Sequence, residues 1–363
     1  MRAVNFFKIL PLLCVFAASL ASAANVSDEL TCQQVKAGIE QSLRASFGQY
    51  QASILIQQGD HELVVENFGP KVSPQTRFLL GSVTKTLHAI VAVQLLEEGL
   101  LNLEDTVGSR LPQDLASGLP ESWLRLKVRN LLHHTSGIPD FMNRDNSADQ
   151  HTTDEFLKVP HNLLTLLLSV PQKLEFEPDT EFRYSNTNYL ILGRILANVT
   201  NAVDRDLMKR ALFSPLKLAN TGTIDQFDST ILGTTDIFPS NLIGLGNAYS
   251  TSSDLMTVMR TLDGTSLLSQ AWIDKMYEPD PACHGTNCNL YGLGFRLPPN
   301  PEVAGHRWVF HQGHLNTVSS LVAKVPDLAL NMTLVSNRTD FDSETLAQKY
   351  FTSLIQSGCV TPR

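Results

Sequence analysis

What most constrains this chain is where its β-type and helical segments fall. Residues 52–57 and 62–68 are short apolar, β-branched runs on either side of Gln58-Gly59-Asp60, which predicts a hairpin. Residues 293–297, 308–311, 318–325 and 328–336 predict further strands near the other end. Between them, residues 100–238 are helix-and-loop in character and punctuated by prolines. Helical spacing predicts helices over 29–47, from Ser82 to a stop at Gly99, over 190–199, over 251–262 with Ser252 or Ser253 as its cap, and over 342–356. Strands at both ends around a helical middle imply an α/β (α+β) fold. The expected form is one antiparallel sheet, flanked by N- and C-terminal helices, with an all-helical lobe inserted into it. The sheet lobe is expected at about 24–81 and 250–363, and the helical lobe at about 82–249.

The chain has 363 residues, 43% hydrophobic and 18% charged, which is enough for a large core or two lobes. Its net charge is −8 and it has no Lys/Arg run, which argues against nucleic acid or an anionic membrane surface as a partner. The start reads as an export signal over residues 1–23. Arg2 and Lys8 precede an apolar run at 9–20, and Ala21-Ser22-Ala23 offers a cleavage site. That run is too short to span a bilayer comfortably, so no integral span is expected after cleavage, and the location is periplasmic or secreted. Cys14 leaves with the signal, and Cys32, Cys283, Cys288 and Cys359 remain for an oxidising compartment. Cys283 and Cys288 are close in sequence and expected to pair, which leaves Cys32 with Cys359. The cysteines offer no Cys-x-x-Cys for a metal.

The chemistry centres on Phe78-Leu79-Leu80-Gly81-Ser82-Val83-Thr84-Lys85. The chain turns at Gly81, and a buried helix starts at or beside Ser82. Backbone N–H groups at a helix start lack intrahelical partners, and residues three apart share a face. An amine is thus held beside a hydroxyl in a field that favours negative charge, which makes Ser82 a candidate nucleophile activated by Lys85. Ser214-Pro215-Leu216-Lys217 repeats the spacing, so the motif alone does not choose between the serines.

Two further motifs do. Tyr184-Ser185-Asn186 is the only Tyr-x-Asn in the chain, and His311-Gln312-Gly313 lies on or beside a late strand. In this order the three motifs resemble those of the serine β-lactamase and D-Ala-D-Ala peptidase superfamily. The branch resembled holds class C β-lactamases, D-alanyl carboxypeptidases and related esterases. Leu131-Leu132-His133-His134-Thr135-Ser136-Gly137-Ile138 and Tyr249-Ser250-Thr251 carry the likeness across the mature chain. The resemblance implies a β-lactamase/transpeptidase-like fold and catalytic Ser82, Lys85 and Tyr184. It also implies substrate contacts from Asn186, His311 and Gly313, with an oxyanion site formed by the N–H groups of Ser82 and His314. Lys85 and Tyr184 are both candidates for the base. Asn186 is read as lying in an extended segment, pointing the same way as Tyr184. The pair His133-His134 is read as a structural turn near the cleft, because adjacent residues face different ways and no third ligand is spaced to join them.

Class C β-lactamases carry Lys-Thr-Gly where this chain has His-Gln-Gly. A histidine there holds a carboxylate less firmly near neutral pH, which weakens the case for efficient β-lactam hydrolysis. The reading is therefore an exported, acyl-enzyme serine hydrolase that needs no cofactor or metal and works as a monomer on a small molecule or peptide. A D-alanyl-D-alanine carboxypeptidase or D-amino acid peptide amidase leads. A β-lactamase or small-ester esterase is the rival within the same mechanism, and a non-catalytic binder of cell-wall fragments is the rival outside it.

Overall fold

The computed structural model describes residues 32–142, 163–224, 228–233, 244 and 246–362. The expected export signal and most of the loop at 141–156 lie outside the described residues. The strands are β1 Ala52–Gln58, β2 His61–Phe68, β3 Arg77–Leu79, β4 Gly222–Thr223, β5 Ile231–Leu232, β6 Ala248–Ser250, β7 Glu302–Val303, β8 His306–Arg307, β9 Val309–Leu315, β10 Val318–Val325 and β11 Leu330–Ser336. Five of them form an antiparallel sheet in the order β2-β1-β11-β10-β9.

Both faces of this sheet are covered, and the period-two alternation of its strands shows how. Leu330, Met332 and Leu334 of β11 face the two terminal helices, residues 32–47 and Ser343–Gln356, and pack with Leu43, Phe47, Phe351 and Leu354. Val335 of β11 and Val318 and Val322 of β10 face the other way. They join a second apolar cluster that runs through the helix Val83–Glu97 into the helical region around Leu131, Leu190 and Ile195. Cys32 and Cys359 bridge the two terminal helical segments, and Cys283 is bonded to Cys288, as their spacing predicts. Among the described residues, no helix is long and apolar enough to cross a membrane.

In the helix Val83–Glu97, every residue except Gln94 and Glu97 is buried, which fits its apolar character on more than one face. The closing helix is capped by Asp342, whose carboxylate accepts from the N–H groups of Glu344 and Thr345.

Several details differ from the sequence expectation. Residues 293–297 form no strand. Gly294 takes φ +78°, and its carbonyl accepts from the Thr86 hydroxyl at 2.7 Å, so the chain bends onto the Val83–Glu97 helix. The helix Ser252–Thr261 is capped by Thr251, which accepts from the Asp254 N–H, rather than by Ser252 or Ser253. A small second sheet, β4-β6-β3-β5, was not expected. Its strands are two or three residues long, and β3 pairs with β5 in parallel. It delivers the chain to the Leu80–Ser82 turn, where the Leu80 N–H donates to the Ala248 carbonyl.

The main sheet meets that turn at Gly313. A methyl group added there would lie 1.9 Å from the Leu80 carbonyl oxygen and 2.9 Å from the Ser82 nitrogen. Gly313→Ala should therefore force β9 away from the turn and destabilise the protein by about 1–3 kcal/mol, the usual range for overpacking. Denaturant unfolding checks this, and an unchanged midpoint would contradict the close approach.

Candidate active site

Ser82 precedes the Val83–Glu97 helix and is half-buried, with Gly81 before it at φ +51°. Lys85, one turn on, is fully buried. Its ammonium nitrogen donates to Ser82 Oγ at 3.1 Å and to Asn186 Oδ1 at 2.8 Å. Burial strips the charged amine of water and pulls its pKa down to about 7; Asp140 works against this fall and Arg296 reinforces it.

Asn186 is not in an extended segment. It is the first residue of the helix Asn186–Thr200, and Ser185 before it is extended. Its amide is oriented from both ends, with Oδ1 accepting from Lys85 and Nδ2 donating to Asp140 Oδ2 at 2.9 Å. One N–H of that amide is left for another partner.

The ring of Tyr184 lies over Lys85, with Nζ 5.1 Å from its centroid. Its hydroxyl is close enough to Ser82 for the serine to act on its titration, yet the pair falls short of hydrogen-bond geometry. It is a buried hydroxyl with no hydrogen-bond partner among the described residues. Burial raises its pKa, so the group is a phenol at neutral pH.

His134 holds this segment in place. Its carbonyl accepts from the Arg183 N–H at 3.0 Å. Its Nδ1 lies 3.2 Å from the Ser185 nitrogen and 3.2 Å from Asn188 Nδ2, and its ring sits 4.4 Å from the Tyr184 ring. Both neighbours of Nδ1 are donors, so the ring proton is on Nε2. His134 takes a left-handed φ of 60° at the end of the helix Val128–His133. Desolvation, then the positive charge of Lys85, keeps it neutral. His133 instead faces the Tyr291 carbonyl. Among the described residues no group of His, Cys, Asp or Glu is arranged to hold a metal.

His311 lies on a strand, as its motif predicts. It is fully buried in β9, with Nδ1 at 2.8 Å from the Gln312 carbonyl and Nε2 at 2.8 Å from the Tyr291 hydroxyl. The carbonyl can only accept, so Nδ1 carries the proton and Nε2 accepts from the tyrosine. Burial and the nearby Arg296 and Lys85 push its pKa well below 6.5. His311 is thus a neutral, saturated group rather than a partly charged carboxylate ligand. Gln312 alternates to the other side, where Ser343 donates to it. The backbone of His314 faces the nucleophile turn. A methyl on Gly81 would sit 3.2 Å from both its nitrogen and its oxygen.

Arg296 and Tyr291 also belong to this site and were not singled out in the sequence. Arg296 is half-buried with its guanidinium carbon 4.9 Å from the Tyr184 centroid, and its Nε has no hydrogen-bond partner among the described residues. No sequence signal marks it, because it stands on the irregular segment that replaces the expected strand at 293–297. The rival serine, Ser214, is exposed in a turn after residues Lys209–Phe213 and lines a separate cleft.

A helix-start serine against a buried lysine and a phenol, beside an antiparallel sheet, defines a serine hydrolase of the β-lactamase/transpeptidase fold. Solved structures agree. A D-stereospecific amidohydrolase from Streptomyces sp. superposes with a TM-score of 0.68 at 24% identity, covering 87% of this chain and 98% of its own. A D-amino acid amidase from Ochrobactrum anthropi SV3 gives 0.67 at 20% identity, covering 90% and 99%. The chain belongs to the Beta-lactamase family, whose model matches residues 40–355. Penicillin-binding protein 4* of Bacillus subtilis (strain 168) is 25% identical over 325 residues, 80% of this chain and 69% of that protein. Protein flp of Staphylococcus aureus (strain NCTC 8325 / PS 47) is 25% identical over 309 residues, 79% of this chain and 59% of that protein.

The site makes a direct prediction. Side-chain NMR of isotope-labelled lysines should show Lys85 titrating near pH 7, and a midpoint above about 9 would contradict its burial. Because the folded pKa lies below the unfolded 10.5, the unfolded chain binds more protons between these values. This group therefore makes stability rise with pH from about 7 to about 10.5.

Proposed function

We propose that Ser82 is the nucleophile of an acyl-enzyme hydrolase that removes the last residue from peptides ending in a D-amino acid, in the manner of a D-alanyl carboxypeptidase. The observation that carries this is the fully buried Lys85, with a pKa near 7, in contact with Ser82 Oγ. Near neutral pH a large fraction of it is an amine able to take the serine proton. Tyr184, held as a phenol, is the better donor to the leaving nitrogen. In this scheme Ser82 Oγ bonds to the carbonyl carbon as its proton passes to Lys85. The C–N bond then breaks as Tyr184 gives its proton to the departing amine, and Lys85 restores the phenol. Water repeats the steps in reverse, and the acid leaves with Ser82 re-protonated. The N–H groups of Ser82 and His314 are suited to hold the oxyanion, since Gly81 and Gly313 bring the two backbones together. The remaining N–H of Asn186 is available to a substrate amide carbonyl.

Arg296 decides among substrates. With His311 neutral, it is the permanent cation beside Tyr184, and among the described residues it forms no ion pair. A substrate with a free terminal carboxylate would complete its coordination. That favours a carboxypeptidase over an esterase, and it allows acylation by a β-lactam, which carries such a carboxylate. The amidase reading draws on the similarity to the two D-amino acid amide hydrolases. The two disulfides, together with the composition of residues 1–23, support a periplasmic or secreted location.

Intact-protein mass spectrometry with a fluorescent penicillin should give a single adduct, lost in Ser82→Ala and kept in Ser214→Ala. Retention in the Ser82 variant would end the proposal. Arg296→Gln should raise KM about tenfold or more for an acyl-D-alanyl-D-alanine peptide, and little for its C-terminal amide, as loss of a charged hydrogen bond implies. Equal effects on acid and amide would favour the amidase reading.

A further inference from the structure

The second Ser-x-x-Lys motif lies in a cleft of its own. A cavity of about 540 Å³ opens between the segment from Arg205 to Lys217 and the small sheet, within the usual size range of small-ligand sites. Arg205, Lys209 and Lys217 line it, together with the hydroxyl-bearing Ser214, Thr223 and Tyr249. No acidic residue is among its lining residues. Lys209 and Lys217 have no acidic partner among the described residues, and Arg205 has only a 3.5 Å contact with the exposed Asp206. Three acids near the cleft in the described residues have other partners. Asp204 is bonded inward to His88, and Asp254 accepts from the Asn220 N–H and the Thr221 hydroxyl. Asp228 accepts from Thr230. Two lysines without an acidic partner among the described residues, beside an arginine with one weak exposed contact, are unusual on a chain of net charge −8, and they concentrate positive potential in one concavity.

The backbone here is also out of the ordinary. Residues Lys209–Phe213 form a π-helical turn, a rare form often found at functional sites. Lys217 takes φ +55°, which is unfavourable for a residue with a side chain. The hydroxyls of Ser214 and Thr223 make no hydrogen bond among the described residues and are free to donate. One cation would satisfy a carboxylate, whereas three cations beside free hydroxyls match the charge and the several oxygens of a phosphate. Phe213 and the Tyr249 ring add an apolar wall for an organic portion.

We propose that this cleft binds a phosphate-bearing ligand, with Arg205, Lys209 and Lys217 as the charge partners and Ser214 and Thr223 as donors. Ser214 then serves in anion binding. The ligand is either a soluble phosphomonoester or the headgroup of an anionic phospholipid, which present the same chemistry. The site does not depend on the hydrolase reading.

Calorimetric titration of the full chain with glycerol 3-phosphate, against sodium chloride at matched ionic strength, tests this. Saturable binding is expected, weakened at least tenfold in Lys209→Gln/Lys217→Gln, with near-UV circular dichroism showing that the variant is folded. Ser214→Glu, which places a carboxylate on the exposed wall, should weaken it as well and serves if the double variant does not fold. Co-sedimentation with phosphatidylcholine vesicles, with and without phosphatidylglycerol, covers the other source. Binding only to the anionic vesicles, lost in the same variants, assigns the ligand to the lipid headgroup. Binding of neither probe, or binding unchanged in the variants, overturns the proposal.

Discussion

The burial of Lys85 is the constraint on which the site depends. An ammonium removed from water is costly unless it is paired or gives up its proton. The structure gives Lys85 neutral oxygens at short range, from Ser82 and Asn186. Asp140 acts one step away, through the Asn186 amide, and its own carboxyl pKa is raised by burial. The amide orients the nitrogen, and burial leaves its proton removable. Keeping the pocket dry requires apolar area that can still make hydrogen bonds, and aromatic side chains meet both demands. Hence the wall of Tyr184, Tyr189, Tyr291, His134 and His311, each with its pKa moved by desolvation toward the neutral form.

That wall needs support from distant parts of the chain. The approach to Tyr184 is braced on one side by His134 and on the other by the disulfide loop. There the Phe182 N–H donates to the Thr286 carbonyl and the Thr286 N–H to Thr180. The bond between Cys283 and Cys288 closes this loop, so a crosslink that looks local in sequence stiffens the run into the phenol. Arg129 ties the same region together by ion pairs to Asp179, Asp280 and Glu104. These carboxylates come from three separate segments, so the arginine acts as a junction.

The parts of this arrangement legible in sequence are those with a local signature. The helix from Ser82, the hairpin at 52–68 and the closing helix announce themselves through periodicity and caps. The order of Ser82, Lys85 and Tyr184 carries the family likeness. What was missed has no such signature. Arg296 and Tyr291 lie on an irregular segment fixed by Gly294 bending onto the Val83–Glu97 helix, and only tertiary packing shows that bend. The small sheet escaped because strands of two or three residues leave no pattern. Asn186 is read as extended because Tyr-x-Asn alternates correctly for that conformation, whereas the chain enters a helix directly after Ser185.

The two Ser-x-x-Lys motifs show why spacing alone does not specify chemistry. In both, a lysine follows a serine by three positions. Around Ser82 the helix continues for several turns, and its packing on all sides forces the lysine out of water and against the hydroxyl. At Ser214 a proline follows, the turn ends, and Lys217 swings into the left-handed region with its ammonium in solvent. An ammonium in solvent serves there as a positive charge. The same pair of residue types therefore yields a candidate base in one place and a candidate anion ligand in the other. What separates them is the water each amine can reach, and that is set by the elements packed around it.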